Sequence, residues 1–208
     1  MPKTYSDEER NQIITKLKRE ANILMLEKGV KKTTVDELVK RVGIPKGTFY
    51  LFYPSKEMLL YDVTQDFHEE VDAYIETGIK RTLMEKGKLL TPDVDLSDCV
   101  EEFTDVIMGA MEITFASCLK VVLEPEAMQL ILCKLPEDVL AKHLQEDSNI
   151  GGGAIKAVAQ AKGLDVTALT GSFMAIIFGG MYKREIGETN WRESIRYLIK
   201  GLVMQLVL

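Results

Sequence analysis

Cysteine is scarce in this chain, histidine scarcer, and no apolar run is long enough to cross a bilayer. The three cysteines among 208 residues, Cys99, Cys118 and Cys133, stand 19 and 15 positions apart, which gives neither the even count of a disulfide framework nor the close pairs of a zinc site. Each reads as a small, reduced core residue. The two histidines, His68 and His143, have no Ser, Cys or metal-ligand spacing around them. The sequence therefore holds no recognisable catalytic constellation and implies no metal and no cofactor. It lacks the twenty or so consecutive apolar residues of a membrane span, and its opening MPKTYSDEER lacks the apolar stretch of a signal peptide. The expected location is the cytoplasm, with no membrane partner. Strand-like alternation is missing as well, which leaves an all-α chain.

What the chain does have is helical periodicity punctuated by caps. Ser6 stands three residues before Glu9, a capping box that opens a first helix burying Ile13, Leu17, Ala21 and Leu24 and ending before Gly29. A second box, Thr34 with Glu37, opens the next helix, in which Val35, Leu38, Val39 and Val42 follow the i, i+3, i+4, i+7 rule. Gly43 provides the left-handed exit that a Cβ would resist. Pro45 steers Ile44 away from the helical region and suits the first position of a new helix. That third helix is expected from Pro45 to near Phe52, where Pro54 stops it. Ile44, Phe49 and Tyr53 face inward on this reading, and Lys46, Gly47, Thr48 and Tyr50 face outward. Ser55 then caps a connecting helix, residues 55–86. A helix, a sharp turn and a short second helix form the arrangement with which a helix-turn-helix protein enters a DNA major groove.

Residues 7 to 60, most densely Lys46-Gly47-Thr48-Phe49-Tyr50 and Pro54-Ser55-Lys56-Glu57, resemble the DNA-binding signature of TetR-type transcriptional repressors. The rest of the chain is similar to that family in length and helical character. Pro45 occupies a position where these proteins often carry a Ser cap, and Phe52-Tyr53 reverses the usual order, so no contact is carried over to position 52. The resemblance implies a DNA-binding set of Thr33, Thr34, Lys46, Gly47, Thr48, Tyr50 and Lys56. Thr33 and Thr34 can offer hydroxyls and N–H groups to a phosphate at a positive helix end. Gly47 allows close approach to the backbone, Lys46 and Thr48 look toward base edges or phosphates, Tyr50 offers its phenol, and Lys56 supplies a cation. Thr34 also has the plain role of a helix cap, and Gly47 or Tyr50 could serve only the head's own packing.

Charge is divided unevenly along the chain. Residues 1–56 hold twelve Lys and Arg against seven acids, a net of +5, so with −6 for the whole chain residues 57–208 carry −11. A basic head on an acidic body suits DNA binding through one end, although uneven surface charge alone decides little.

The expected organisation is a three-helix helix-turn-helix domain at 1–54 followed by a larger helical domain for ligand binding and dimerisation at 55–208. After the connecting helix, 87–95 reads as a loop. A long helix is expected over 97–123, broken at Pro125, with shorter segments at 125–133 and 136–146. The break from Asn149 to Gly153 is not a phosphate loop, since no Lys-Ser or Lys-Thr pair follows it. Helices follow at 153–162, 165–184 and 190–207.

Gly171, Ala175 and Gly179 recur every four residues, and Ile195, Leu198 and Leu202 belong to a broad apolar stripe on the last helix. These residues mark the expected dimer surface. The resemblance implies a four-helix bundle of two such pairs in a homodimer, and two recognition helices would match a palindromic double-stranded DNA operator. A pocket for a hydrophobic small-molecule effector is expected from Phe67, Val71, Tyr74, Phe103, Ile107, Met111, Phe115, Met128, Phe173 and Ile177. Met and aromatic residues at helical spacing also fit ordinary core. The function implied is a transcriptional regulator, a repressor released by its ligand. The alternatives are a helix-turn-helix protein controlled by a protein partner or acting as an activator, and, from a different class, an enzyme.

Overall fold

A computed structural model describes residues 5–146 and 152–207, and among them every regular element is helical. The chain forms α1 (Asp7–Lys32), α2 (Val35–Val42), α3 (Lys46–Phe49), α4 (Lys56–Glu85), α5 (Val100–Ala116), α6 (Leu119–Val122), α7 (Pro125–Leu132), α8 (Glu137–Glu146), α9 (Gly152–Ala161), α10 (Val166–Gly180), α11 (Lys183–Ile186) and α12 (Trp191–Val207). A single 3₁₀ turn, Ser97–Cys99, precedes α5. Of the break expected from Asn149 to Gly153, residues 149–151 lie outside the described residues.

Two compact units emerge. One comprises the chain up to His68 together with Ser117–Ala141, and the other comprises Glu69–Ala116 and Lys142–Leu208. The first is called the head here and the second the body. Helix α4 contributes its opening turns to the head and the remainder to the body.

In the head, the Ser6–Glu9 capping box forms in both directions, with the Ser6 hydroxyl accepting from Glu9 N–H and the Glu9 carboxylate accepting from Ser6 N–H. Leu17, Ala21, Leu24 and Met25 are buried along α1. At Gly29 the backbone turns to φ 78°, which breaks the helix where the glycine pointed to its end. The second box is only half made. Thr34 accepts from Glu37 N–H at 3.3 Å, but the Glu37 carboxylate turns to the cations Lys28 and Arg41, a stronger attraction than one backbone N–H. Gly43 takes φ 76°, ψ 36° and donates to Val39 O, closing α2 as expected.

The expected helix from Pro45 to Phe52 is shorter. Only Lys46–Phe49 is regular, with Pro45 as its cap rather than its first turn. Separate turn bonds, from Leu51 N to Thr48 O and from Tyr53 N to Phe49 O, carry the chain on to Pro54. Phe49 and Tyr53 are buried, as the pattern required. Ser55 accepts from Met58 N–H at the head of α4.

The helix expected over 97–123 stops at Ala116. Ser117 accepts from Leu119 N–H and Cys118 N–H donates to the Asn22 side chain of α1, so local and tertiary bonds replace the helical ladder there. Helices α6 and α7 then pack on α1. The helix expected over 165–184 likewise ends at Gly180, and after Met181 and Tyr182 the separate turn α11 closes at Gly187 with φ 105°.

In the body, α12 packs along α5 and α10. Phe103, Ile107, Met108 and Met111 of α5 join Ile195, Ile199 and Val203 of α12 in the core. Two glycines set how closely helices approach. A Cβ on Gly78 would lie 2.5 Å from Val106 Cγ2, and one on Gly109 would lie 2.2 Å from the Tyr74 hydroxyl oxygen. Trp191 donates its indole N–H to Gly180 O at 2.8 Å, fixing the start of α12 against the end of α10.

Candidate nucleic-acid interface

Helices α2 and α3 present the head's polar face. Burying Leu38, Val39, Phe49 and Tyr53 against α1 and the first turns of α4 leaves the alternate positions of this short stretch in solvent. Lys46, Gly47 and Tyr50 are exposed together with Thr34. Tyr50 is 50% exposed and meets Phe49 edge-on, with ring centroids 5.3 Å apart, so its ring rests on the core while its rim is offered outward. No atom lies within 4 Å of where a Gly47 Cβ would be. Its bare backbone therefore faces open space, and its use at this position is approach from outside rather than internal packing. Leu51, 56% exposed, adds an apolar edge that sequence reasoning did not single out.

Three of the expected contact residues occupy other positions. Thr33 is fully buried and its hydroxyl donates to Gly29 O at 2.9 Å, because the carbonyl freed at the glycine break needs a donor. Thr48 is buried rather than outward, with its hydroxyl 3.4 Å from that of Tyr5. The four-residue α3 turns position 48 back toward the chain's opening segment. Lys56 is half-buried, and its ammonium donates to Val30 O at 3.1 Å and Thr33 O at 2.7 Å. It thus meets the negative end of α1. Thr34 combines exposure with its capping role.

Electrostatics hold this face in place. Lys46 pairs with Asp36 of α2, with Nζ to Oδ1 at 2.9 Å, and the hydrogen bond to Asp36 raises the lysine pKa above its ordinary value. Tyr53 donates to Asp62 at 2.7 Å, and Lys18 bridges Asp62 and Asp66 at 3.0 and 2.8 Å. Burial and the bond to Asp62 push the Tyr53 phenol above its ordinary range. Arg41 lies beside Glu27, Glu20 and Glu37, which ties α2 to α1. Tyr5 and Arg10 brace the far end of the recognition segment: the Tyr5 ring lies 5.9 Å from that of Phe52, and the Arg10 guanidinium stands over the same ring at 4.9 Å. No local pattern marked Tyr5, Arg10 or Asp36, since each acts on a residue ten or more positions away.

The expected pocket residues divide between the two units, with Phe67 and Met128 in the head and the rest in the body. Phe103, Ile107, Met111 and Phe173 are gathered in the body core, and Val71 and Phe115 pack against it. Tyr74 is exposed along part of its ring and Ile177 is half-buried. Of the expected dimer residues, Ile195 is instead fully buried in the body's own core, because its turn of α12 faces α5. Leu202 packs partly against that core. Leu198 is 55% exposed, and Gly171 and Ala175 are exposed on α10, where the α-carbons of Gly171 and Gly179 face open space.

Helices α1–α3, with their outward Lys-Gly-Tyr face, form a helix-turn-helix of the kind that DNA-binding regulators carry. The family described as bacterial regulatory proteins, tetR family, matches residues 19–63, the stretch that runs from α1 through α2 and α3 into the opening turns of α4. The uncharacterized HTH-type transcriptional regulator YdgC of Bacillus subtilis (strain 168) is 30% identical over 129 residues, 60% of this chain and 60% of that protein. Nucleoid occlusion factor SlmA of Haemophilus ducreyi is 26% identical over 81 residues, 39% of each. The matches thus span less than two thirds of these relatives' lengths. Among solved structures, fatty acid degradation regulator FadR from Bacillus halodurans shares the fold, with a TM-score of 0.53 over 99% of this chain and 97% of that one at 16% identity. Among the described residues, no helix is long and apolar enough to cross a membrane.

Proposed function

We propose that the protein is a homodimeric transcriptional repressor that binds a palindromic operator in double-stranded DNA and is released from it by a hydrophobic small molecule. The observation that carries the DNA reading is the joint exposure of Thr34, Lys46, Gly47 and Tyr50 on α2 and α3, above a buried Phe49–Tyr53 floor. Lys46 and Tyr50 supply a cation and a phenol for phosphates or base edges, Gly47 admits the backbone, and Thr34 sits at the positive end of α2. Thr33, Thr48 and Lys56 support this face from behind.

The dimer follows from what one head can do. A recognition helix this short reads only a few base pairs, so two copies on a palindrome multiply the discrimination. Helices α10 and α12 favour a second copy as the occupant of their outer faces. They carry the open glycines of α10 and the exposed apolar side chains Phe178 of α10 and Leu198 and Met204 of α12. Release by an apolar effector rests on the gathering of Phe103, Ile107, Met111 and Phe173 in the body core, with Val71 and Phe115 packed against it. It operates only to the extent that the ligand prefers the form that does not bind DNA.

Sedimentation at micromolar concentration tests the dimer; a monomer there contradicts it. Titration of apolar compounds against the protein–DNA complex tests release. Compounds that bind the protein and leave DNA affinity unchanged contradict the effector.

A further inference from the structure

On the DNA-binding reading the exposed face of α2 and α3 meets phosphates, yet it carries a carboxylate, Asp36. Asp36 and Glu37 are adjacent acids in the first turn of α2, where either one helps the helix dipole. Only Glu37 is spent on the head's interior, against Lys28 and Arg41. Asp36 turns outward with its side chain 74% exposed and reaches across the turn to Lys46, itself 52% exposed and the first residue of α3. Both carboxylate oxygens lie within hydrogen-bond distance of Nζ, at 2.9 and 3.0 Å.

We propose that Asp36 is a specificity-determining residue that acts through Lys46 by occupying its ammonium until a DNA site offers a better partner. The proposal rests on the DNA-binding reading above. An exposed pair of this kind is weak, so a well-placed acceptor displaces it easily. The effect falls on the competitors. On arbitrary sequence a lysine contributes mainly by neutralising a phosphate, a contribution blind to the bases. With Asp36 beside it, that gain is largely cancelled by the loss of the pair and by the carboxylate's repulsion of the same phosphates. On a site that presents a guanine O6 and N7 to Lys46, or a cytosine amino group to Asp36, the pair is exchanged for directed bonds. Asp36 thereby lowers affinity for bulk DNA more than for the operator and widens the ratio between them, the quantity that matters against a genome of competing sites.

The test is a double-mutant cycle on the full-length protein with two probes, a random-sequence duplex and the duplex that the wild type enriches from a random library. Asp36→Asn removes the charge while keeping the size of the side chain and leaves the Thr34 cap in place, and circular dichroism checks that it folds. The expected result is binding to the random duplex about fivefold tighter per head at low salt. The salt slope should steepen by up to about 0.9 per head, and the enriched-to-random affinity ratio should fall. In a Lys46→Met background the same change should have little effect. An unchanged slope and ratio in Asp36→Asn overturns the proposal, as does an equal gain in the Lys46→Met background, which would make Asp36 a general repulsive charge. Failure of the wild type to bind any duplex at low salt overturns the DNA-binding reading itself, and the proposal with it.

Discussion

Lys56 Nζ donates a 2.7 Å hydrogen bond to the carbonyl oxygen of Thr33, the residue that joins α1 to α2. With its second bond to Val30 O, this ammonium fastens the start of α4 to the carbonyl end of α1, one residue before the Thr34 cap. The cation that sequence alone would aim at a phosphate is thus spent on the carbonyls of Val30 and Thr33.

Lys56→Met should therefore destabilise the head. Losing a charged hydrogen bond to half-buried carbonyls costs about 1.5–3 kcal/mol, measurable by denaturant unfolding. The salt slope of DNA binding should fall by much less than the roughly 0.9 expected for a residue that neutralises a phosphate. A full loss of slope with unchanged stability would return Lys56 to the contact set.

The Tyr53–Asp62 bond gives a pH signature. Tyr53→Phe should cost about 1.5–3 kcal/mol at neutral pH, because Asp62 loses a buried donor. The Tyr53 pKa is raised above its ordinary 10.0 in the folded state. The phenol's contribution is therefore complete below that pH and is lost as pH rises beyond it. The gap between wild type and variant should accordingly narrow above about pH 10, as followed by thermal unfolding. Lys18, whose pKa is raised because its hydrogen bonds to Asp66 and Asp62 outweigh burial, weakens both proteins in the same range.

Gly78→Ala sets helix propensity against sterics. Alanine in mid-helix is favoured over glycine by about 1 kcal/mol, but its Cβ would lie 2.5 and 2.8 Å from the two methyls of Val106. Val106 is branched and stiff at χ1, so the overlap is relieved only by moving α4 or α5. A net loss of about 1–3 kcal/mol is expected, recovered in part by Val106→Ala in the same chain. Stabilisation by the single change would show that the two helices are not packed this closely.

On the last helix, neighbouring turns should separate fold from assembly. Ile195→Ala should lower stability by about 2–5 kcal/mol through a core cavity. Leu198→Glu should leave secondary structure intact and shift sedimentation toward monomer. A dimer that tolerates Leu198→Glu would place the contact elsewhere.

These contrasts mark where the sequence was legible. Short-range signals carried through to the structure: the Ser6 box, the Gly29 and Gly43 exits, Phe49 and Tyr53 facing inward, and Ser55 at the head of α4. Each depends on residues within one or two helical turns. The misreadings needed information from farther along the chain. Helix periodicity continues past Ala116, but Asn22, 96 positions away from Cys118, takes a backbone N–H there. Lys56 looked like a surface cation because its carbonyl partners have no sequence signature. Apolar spacing on α12 identified a stripe but could not separate Ile195, which faces α5, from Leu198, which does not. In the candidate site, the exposure of Lys46, Gly47 and Tyr50 was readable from spacing, while Asp36, Tyr5 and Arg10 entered only through contacts across the turn.

Whether the α2–α3 face reads DNA sequence can be measured by selecting duplexes from a random library with the full-length wild type and determining the affinity of Lys46→Ala and Tyr50→Ala for the winners. Enrichment of a palindromic motif is expected, with loss of affinity in both variants; stability should stay within about 0.5 kcal/mol in Lys46→Ala and fall by about 0.5–1.5 kcal/mol in Tyr50→Ala, whose ring also meets Phe49. No enrichment, or two variants that bind the selected duplex as tightly as the wild type, would contradict sequence reading by this face.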